Sequence, residues 1–148
     1  MPYSIEDGTL LIKAARTAIE LSLKSPRFSR LMVERILSGF TESSGVFVTL
    51  EHYPTMSLRG CIGYPNPIGP LKRLLVEAAI AAAFEDPRFT PVSEPELSEL
   101  IVEVIKTLSE IHNLALAETS TERSEHMLSK IGVRVSGLVS YKGQKRFA

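Results

Sequence analysis

GVFVTLEHYPTMSLRGCIG, residues 45–63, sets two runs of strand-forming residues on either side of a proline-bearing connection. GVFVTL, residues 45–50, is dense in β-branched residues and reads as a strand, with SLRGCIG, residues 57–63, returning beside it. Side chains alternate along a strand, so Val46, Val48 and Leu50 share one face, and Leu58 and Ile62 share one face of the second strand. Pairing the two apolar sets places Leu50 near Leu58, Val48 near Gly60 and Val46 near Ile62. A slip of one residue would turn one set to the wrong face. The other face then carries Phe47, Thr49 and Glu51 beside Cys61, Arg59 and Ser57.

Outward from this hairpin the pattern becomes helical. Ser4 and Asp7 form a capping pattern, and Leu11, Ala14, Ala18 and Leu21 recur at helical spacing. Pro26 disfavours helical geometry at Ser25, which ends that helix near Lys24. Residues 31–37 read as a second short helix. GYPNPIGP, residues 63–70, has too many prolines and glycines for a ladder, and an amphipathic helix then runs from Leu71 to Phe84. EDPRFTPV, residues 85–92, is a second proline-punctuated loop. Ser93, Pro95 and Glu96 cap a short helix through Glu99, and LIVEVI, residues 100–105, is a third strand. A helix over 121–130 and a strand over 133–141, with Gly143 in a turn, complete the reading. The fold class is α+β, a largely antiparallel sheet flanked by helices. There is no repeat, low-complexity run or linker, so residues 1–148 read as a single domain.

Composition weighs against several function classes. Lys plus Arg and Asp plus Glu each number 17, and this balance disfavours a nucleic-acid binder working by phosphate neutralisation. Lys142, Lys145 and Arg146 cluster locally and read as a polar turn. One cysteine makes no intrachain disulfide, and His52, His112 and His126 lie too far apart for a local metal signature. Gly60, Gly63 and Gly69 match no nucleotide-binding pattern, so no cofactor is expected. The start, MPYSIEDGTL, lacks the features of a signal peptide. LLVEAAIAAAF is too short to span a bilayer and contains Glu77. A cytoplasmic protein without membrane contact is expected.

The chemistry centres on Cys61. Arg59 and Cys61 are two apart in a strand and leave the same face, where a guanidinium favours the reactive thiolate. The plainer reading pairs Arg59 with Glu51 and packs Cys61 against Phe47 as a small hydrophobe. His52 falls in the hairpin connection, several residues along the ladder and out of reach of Cys61; His112 and His126 reach it only through tertiary folding. Arg88 follows Asp86-Pro87, and Glu85 or Asp86 either holds it for an anionic ligand or closes an internal salt bridge with it. Gly60 lets a neighbouring backbone or helix approach the sheet.

LRGCIG, residues 58–63, resembles the signature hexapeptide of the AMMECR domain family, named for the Alport syndrome, midface hypoplasia and elliptocytosis chromosomal region. GVFVTL before it, PLKRLLVEAAIAAAFEDPRFTPVSEPEL after it and KIGVRVSGLVSYKGQKR farther on are similar to the family's segments. Two departures stand out: IKTLSEIHNLALAE replaces a Ser-Val-Leu-Thr-Pro-like run, and members usually continue for tens of residues. The second leaves three readings, a fragment, an incompletely traced molecule or a shortened member, and the first two, with the C-terminal part lacking, are the expectation. The resemblance implies an α+β fold and no settled activity, with a grouping near MEMO-type and radical S-adenosylmethionine proteins. Two uses of the site follow. In the first, Arg59, Gly60, Cys61, Glu85, Asp86 and Arg88 frame a groove for a protein partner or a small anion. In the second, Cys61 is a nucleophile assisted by Arg59. The first is the main expectation, because no base, metal set or cofactor motif accompanies the cysteine. A nucleic-acid association ranks third.

Overall fold

The structure, a computed structural model, describes residues 4–107 apart from 26, 28 and 29. The expected helix and strand over 121–141, the basic cluster at Lys142, Lys145 and Arg146, and both His112 and His126 lie outside the described residues. Helix α1, Ile5–Lys24, starts at a capping box. The Asp7 N–H donates to Ser4 Oγ at 3.1 Å, and the Ser4 N–H donates to Asp7 Oδ2 at 2.9 Å. Helix α2, Arg30–Glu34, tightens into a 3₁₀ turn at Arg35–Leu37. Strands β1, Gly45–His52, and β2, Ser57–Tyr64, precede helix α3, Leu71–Phe84. A 3₁₀ turn at Glu94–Glu99 leads into strand β3, Leu100–Thr107.

The three strands form an antiparallel sheet in the order β2-β1-β3. This is the expected α+β arrangement, but the hairpin register differs from the expected one. Val46 faces Tyr64, Val48 faces Ile62 and Leu50 faces Gly60. The next pair is Glu51 with Leu58, which leaves Arg59 as the extra residue of a β-bulge. The turn at residues 53–56 moves the pairing by one place, and the bulge moves it by one more. Because the side-chain period is two, the faces above the bulge survive the shift. Below it they exchange: Leu58 lies across from Glu51 and is 43% exposed, instead of joining Ile62 in the core.

Helix α3 covers the face of Val46, Val48 and Leu50, and α1 packs on α3. Ala78, Ala79 and Ala82 are fully buried in α3, and their small side chains bring its backbone close to the sheet. Contact is close at Gly60, where a Cβ atom would sit 2.1 Å from the Ala82 carbonyl oxygen. Hydrophobic burial along this interface is the main force holding the sheet and helices together. Among the described residues, no helix is long and apolar enough to cross a membrane.

Candidate functional site

The bulge separates the two residues on which the sequence reading centred. The Arg59 guanidinium is directed to the 3₁₀ turn. It forks onto Glu96, with Nε 2.8 Å from Oε1 and Nη2 3.3 Å from Oε2. The sequence showed a regular strand and gave no sign of the extra residue that redirects this side chain. Glu96 is the capping residue of its own turn: Oε2 accepts the Ser93 N–H at 2.7 Å and the Ser93 hydroxyl at 2.9 Å. His52 Nε2 lies 3.1 Å from Glu96 Oε1. The Arg59 fork, foremost, and the Ser93 bonds lower the Glu96 carboxyl to about 2. Arg16 of α1 holds this turn from behind, bonding the Leu97 carbonyl and, at 3.1 Å, the Leu100 carbonyl.

Cys61 has different neighbours. It pairs with Thr49, with Sγ 3.2 Å from Oγ1, and the Phe47 ring lies over Gly63, the residue that Phe47 faces across the ladder. The thiol is half-buried. Its backbone meets the loop after α3. The Cys61 N–H donates to Asp86 Oδ2 at 3.0 Å, and Arg88 Nη2 approaches the Cys61 carbonyl at 3.4 Å. Asp86 also accepts from the Arg88 N–H at 3.0 Å, from Nε at 3.1 Å and from Nη2 at 2.8 Å. These bonds, those from the Arg88 side chain first and the Cys61 amide next, hold the Asp86 carboxyl well below the usual carboxylate range. Arg88 is pushed up in turn, chiefly by Asp86, with the Cys61 sulfur a smaller contributor. The cation beside Cys61 is therefore Arg88.

The other expected site residues divide clearly. Glu85 is exposed at the C-terminus of α3 and does not hold Arg88. Gly60 faces α3. His52 is the last residue of β1, three positions from the partner of Cys61, and its ring is turned to Glu96. Among the described residues no Cys, His, Asp or Glu cluster has the makings of a metal site. A depression lined by Leu31, Glu34, Arg35, Ser38 and Lys72 includes none of the hexapeptide or EDPRF residues. Sequence reasoning took Glu96 only as a cap; the Ser93-x-x-Glu96 spacing signals that cap, but nothing local signals an arginine 37 positions away.

Comparison with known proteins places the chain in a family. A 45% identical relative, Protein MJ0810 of Methanocaldococcus jannaschii, aligns over 101 residues, 68% of this chain and 49% of its own length. A protein of Methanothermobacter thermautotrophicus is 48% identical over 103 residues, 70% of this chain and 52% of its own. The chain thus spans about half the length of the curated relatives it matches. The crystal structure of uncharacterized protein PH0010 from Pyrococcus horikoshii superposes with a TM-score of 0.59 at 43% identity, covering 67% of this chain and 50% of that one. The AMMECR1 family model matches residues 11–147, and the chain belongs to that family.

Proposed function

We propose that the domain is a cytoplasmic binding module that takes a carboxylate- or phosphate-bearing ligand where Arg88 meets Cys61. The observation that carries this reading is the state of Arg88. Its guanidinium is oriented by Asp86, yet 56% of the side chain is open to solvent beside a half-buried thiol. An oriented guanidinium loses little freedom when it accepts an oxyanion, which suits it to recognition. Inorganic phosphate and acetate are suitable probes, followed by amide chemical shifts. Saturable shifts centred on Cys61, Asp86 and Arg88 are expected, at an affinity of roughly millimolar, about 4 kcal/mol. Their loss in Arg88→Ala would complete the case; shifts spread evenly over the surface would refute it.

The contact between Thr49 Oγ1 and Cys61 Sγ favours a second reading, a cysteine-dependent reaction. A hydroxyl donating to sulfur steadies a thiolate during attack on an electrophilic carbon. The chain has one cysteine, so iodoacetamide labelling reports on this site alone. On this reading the native thiol labels faster than the urea-unfolded chain at pH 7, and Thr49→Val slows it about tenfold, roughly 1.4 kcal/mol of barrier. Native labelling slower than that of the unfolded chain would leave the binding reading alone.

A further inference from the structure

Cys61 lies in β2, at one end of the β2-β1-β3 order, and its N–H and carbonyl bond to Asp86 and Arg88. Both groups therefore point away from β1, which makes Thr49 and Cys61 a pair of the non-hydrogen-bonded kind. Such pairs bring their side chains close, in agreement with the 3.2 Å contact between them. An added strand would need this same N–H and carbonyl. One carboxylate oxygen and one guanidinium nitrogen already occupy them, as a neighbouring strand's carbonyl and amide would.

The rest of β2 shows why such a device is useful. SLRGCIGY contains no proline or lysine, and its one charge, Arg59, is committed to Glu96. Among the described residues β2 has β1 as its one strand neighbour, and edges of this kind pair readily with other chains unless something interrupts them. The bulge at Arg59 interrupts one half. We propose that the Asp86–Arg88 pair guards the other half, closing the Cys61 rung of β2 against pairing with a second copy of this chain. This role is independent of ligand binding: it needs only the backbone bonds at Cys61, whereas the binding reading needs the outward part of Arg88.

The test is molar mass by light scattering on the full chain over a wide concentration range. Circular dichroism in parallel identifies the temperatures at which each variant is folded. The Asp86→Ala, Arg88→Ala double variant is expected to double its apparent mass, about twofold, as concentration rises. Leu75→Ala, a core variant that loses stability without touching the edge, is expected to stay at the wild-type mass. Asp86→Asn retains a side-chain oxygen for the Cys61 amide and is expected to associate less than the double variant. If the double variant is too unstable to fold, Arg88→Ala alone serves, with faster hydrogen exchange at residues flanking Cys61 and a smaller rise in mass. Wild-type mass in every folded edge variant would overturn the proposal. So would equal association by Leu75→Ala, because self-association would then follow lost stability and not the opened edge.

Discussion

Gly60→Ala is expected to cost about 3 kcal/mol or more, lowering the melting temperature by roughly 10 °C in a domain of this size. The added methyl would lie 2.1 Å from the Ala82 carbonyl oxygen, 3.1 Å from its carbonyl carbon and 3.8 Å from its Cα. All three are backbone atoms in the last turn of α3, so no rotamer change relieves the clash. Either the helix lifts from the sheet or β2 bends outward, and both open the core beneath Leu74, Leu75 and Ala78. Trimming the neighbour does not help, since Ala82→Gly leaves the offending carbonyl in place. Gly63 provides the contrast. A Cβ there would meet the Phe47 ring at 2.1 Å, and a ring belongs to a side chain that can be shortened. Gly63→Ala should therefore be rescued in part by Phe47→Ala, whereas Gly60→Ala should resist every side-chain substitution at position 82. Thermal melts of the four variants check this; a Gly60→Ala melt equal to wild type would refute the close helix contact.

The two glycines show what kind of information the hexapeptide carries. Gly60 admits a helix backbone, Gly63 lies under an aromatic ring, Ile62 packs against the core and Arg59 anchors the Glu96 turn. Four of the six positions in LRGCIG thus have structural duties, which narrows the chemical question to Cys61 and the loop that bonds to it. A motif found by resemblance marks a functional site only after its packing roles have been assigned.

Elements with a strong period or a cap were legible from the sequence. Helix α1 begins and ends where Ser4, Asp7 and the 24–26 stretch place its limits, and α3 spans the expected Leu71–Phe84. The face carrying Val46, Val48 and Leu50 was legible too, because alternation survives a shift of two. The bulge was not. An extra residue in one strand leaves no mark on composition, and Leu58 looks like any inward-facing leucine until its partner is known. The candidate site was half legible for a related reason. Asp86 and Arg88 are two apart, so their pairing is local and could be expected from the sequence. Arg59 with Glu96 and Thr49 with Cys61 are tertiary pairings, and the register that decides them lies two places from the expected one at Cys61 and one place from it at Glu51.

Glu96 should be the most consequential charge among the described residues, because one carboxylate joins the 3₁₀ turn, β1 and β2. Glu96→Gln keeps the shape but leaves the Arg59 guanidinium, 9% exposed, without its counter-charge. Removing one partner of a largely buried pair costs more than the pair contributes in net terms. Allowing for the solvent that reaches Glu96, 23% exposed, a loss of about 2–3 kcal/mol is expected. The Arg59→Met, Glu96→Gln double variant removes both charges and should be less destabilised than the sum of the single variants, with a coupling of about 1–2 kcal/mol. The pH dependence provides a separate measure. The Glu96 carboxyl is depressed to about 2 in the folded chain and returns to its ordinary value, near 4.5, on unfolding. The folded state therefore binds fewer protons across that interval. The contribution of Glu96 is complete above about 4.5 and disappears as the pH falls through about 2. Asp86 is depressed as well and adds to the acid sensitivity of the wild type, so the informative quantity is the difference between wild type and Glu96→Gln. Denaturant unfolding from pH 7 down to pH 2 should show that difference constant above about 4.5 and shrinking below it. A difference that stays level across the acid range would mean that Arg59 does not hold the Glu96 charge in the folded protein.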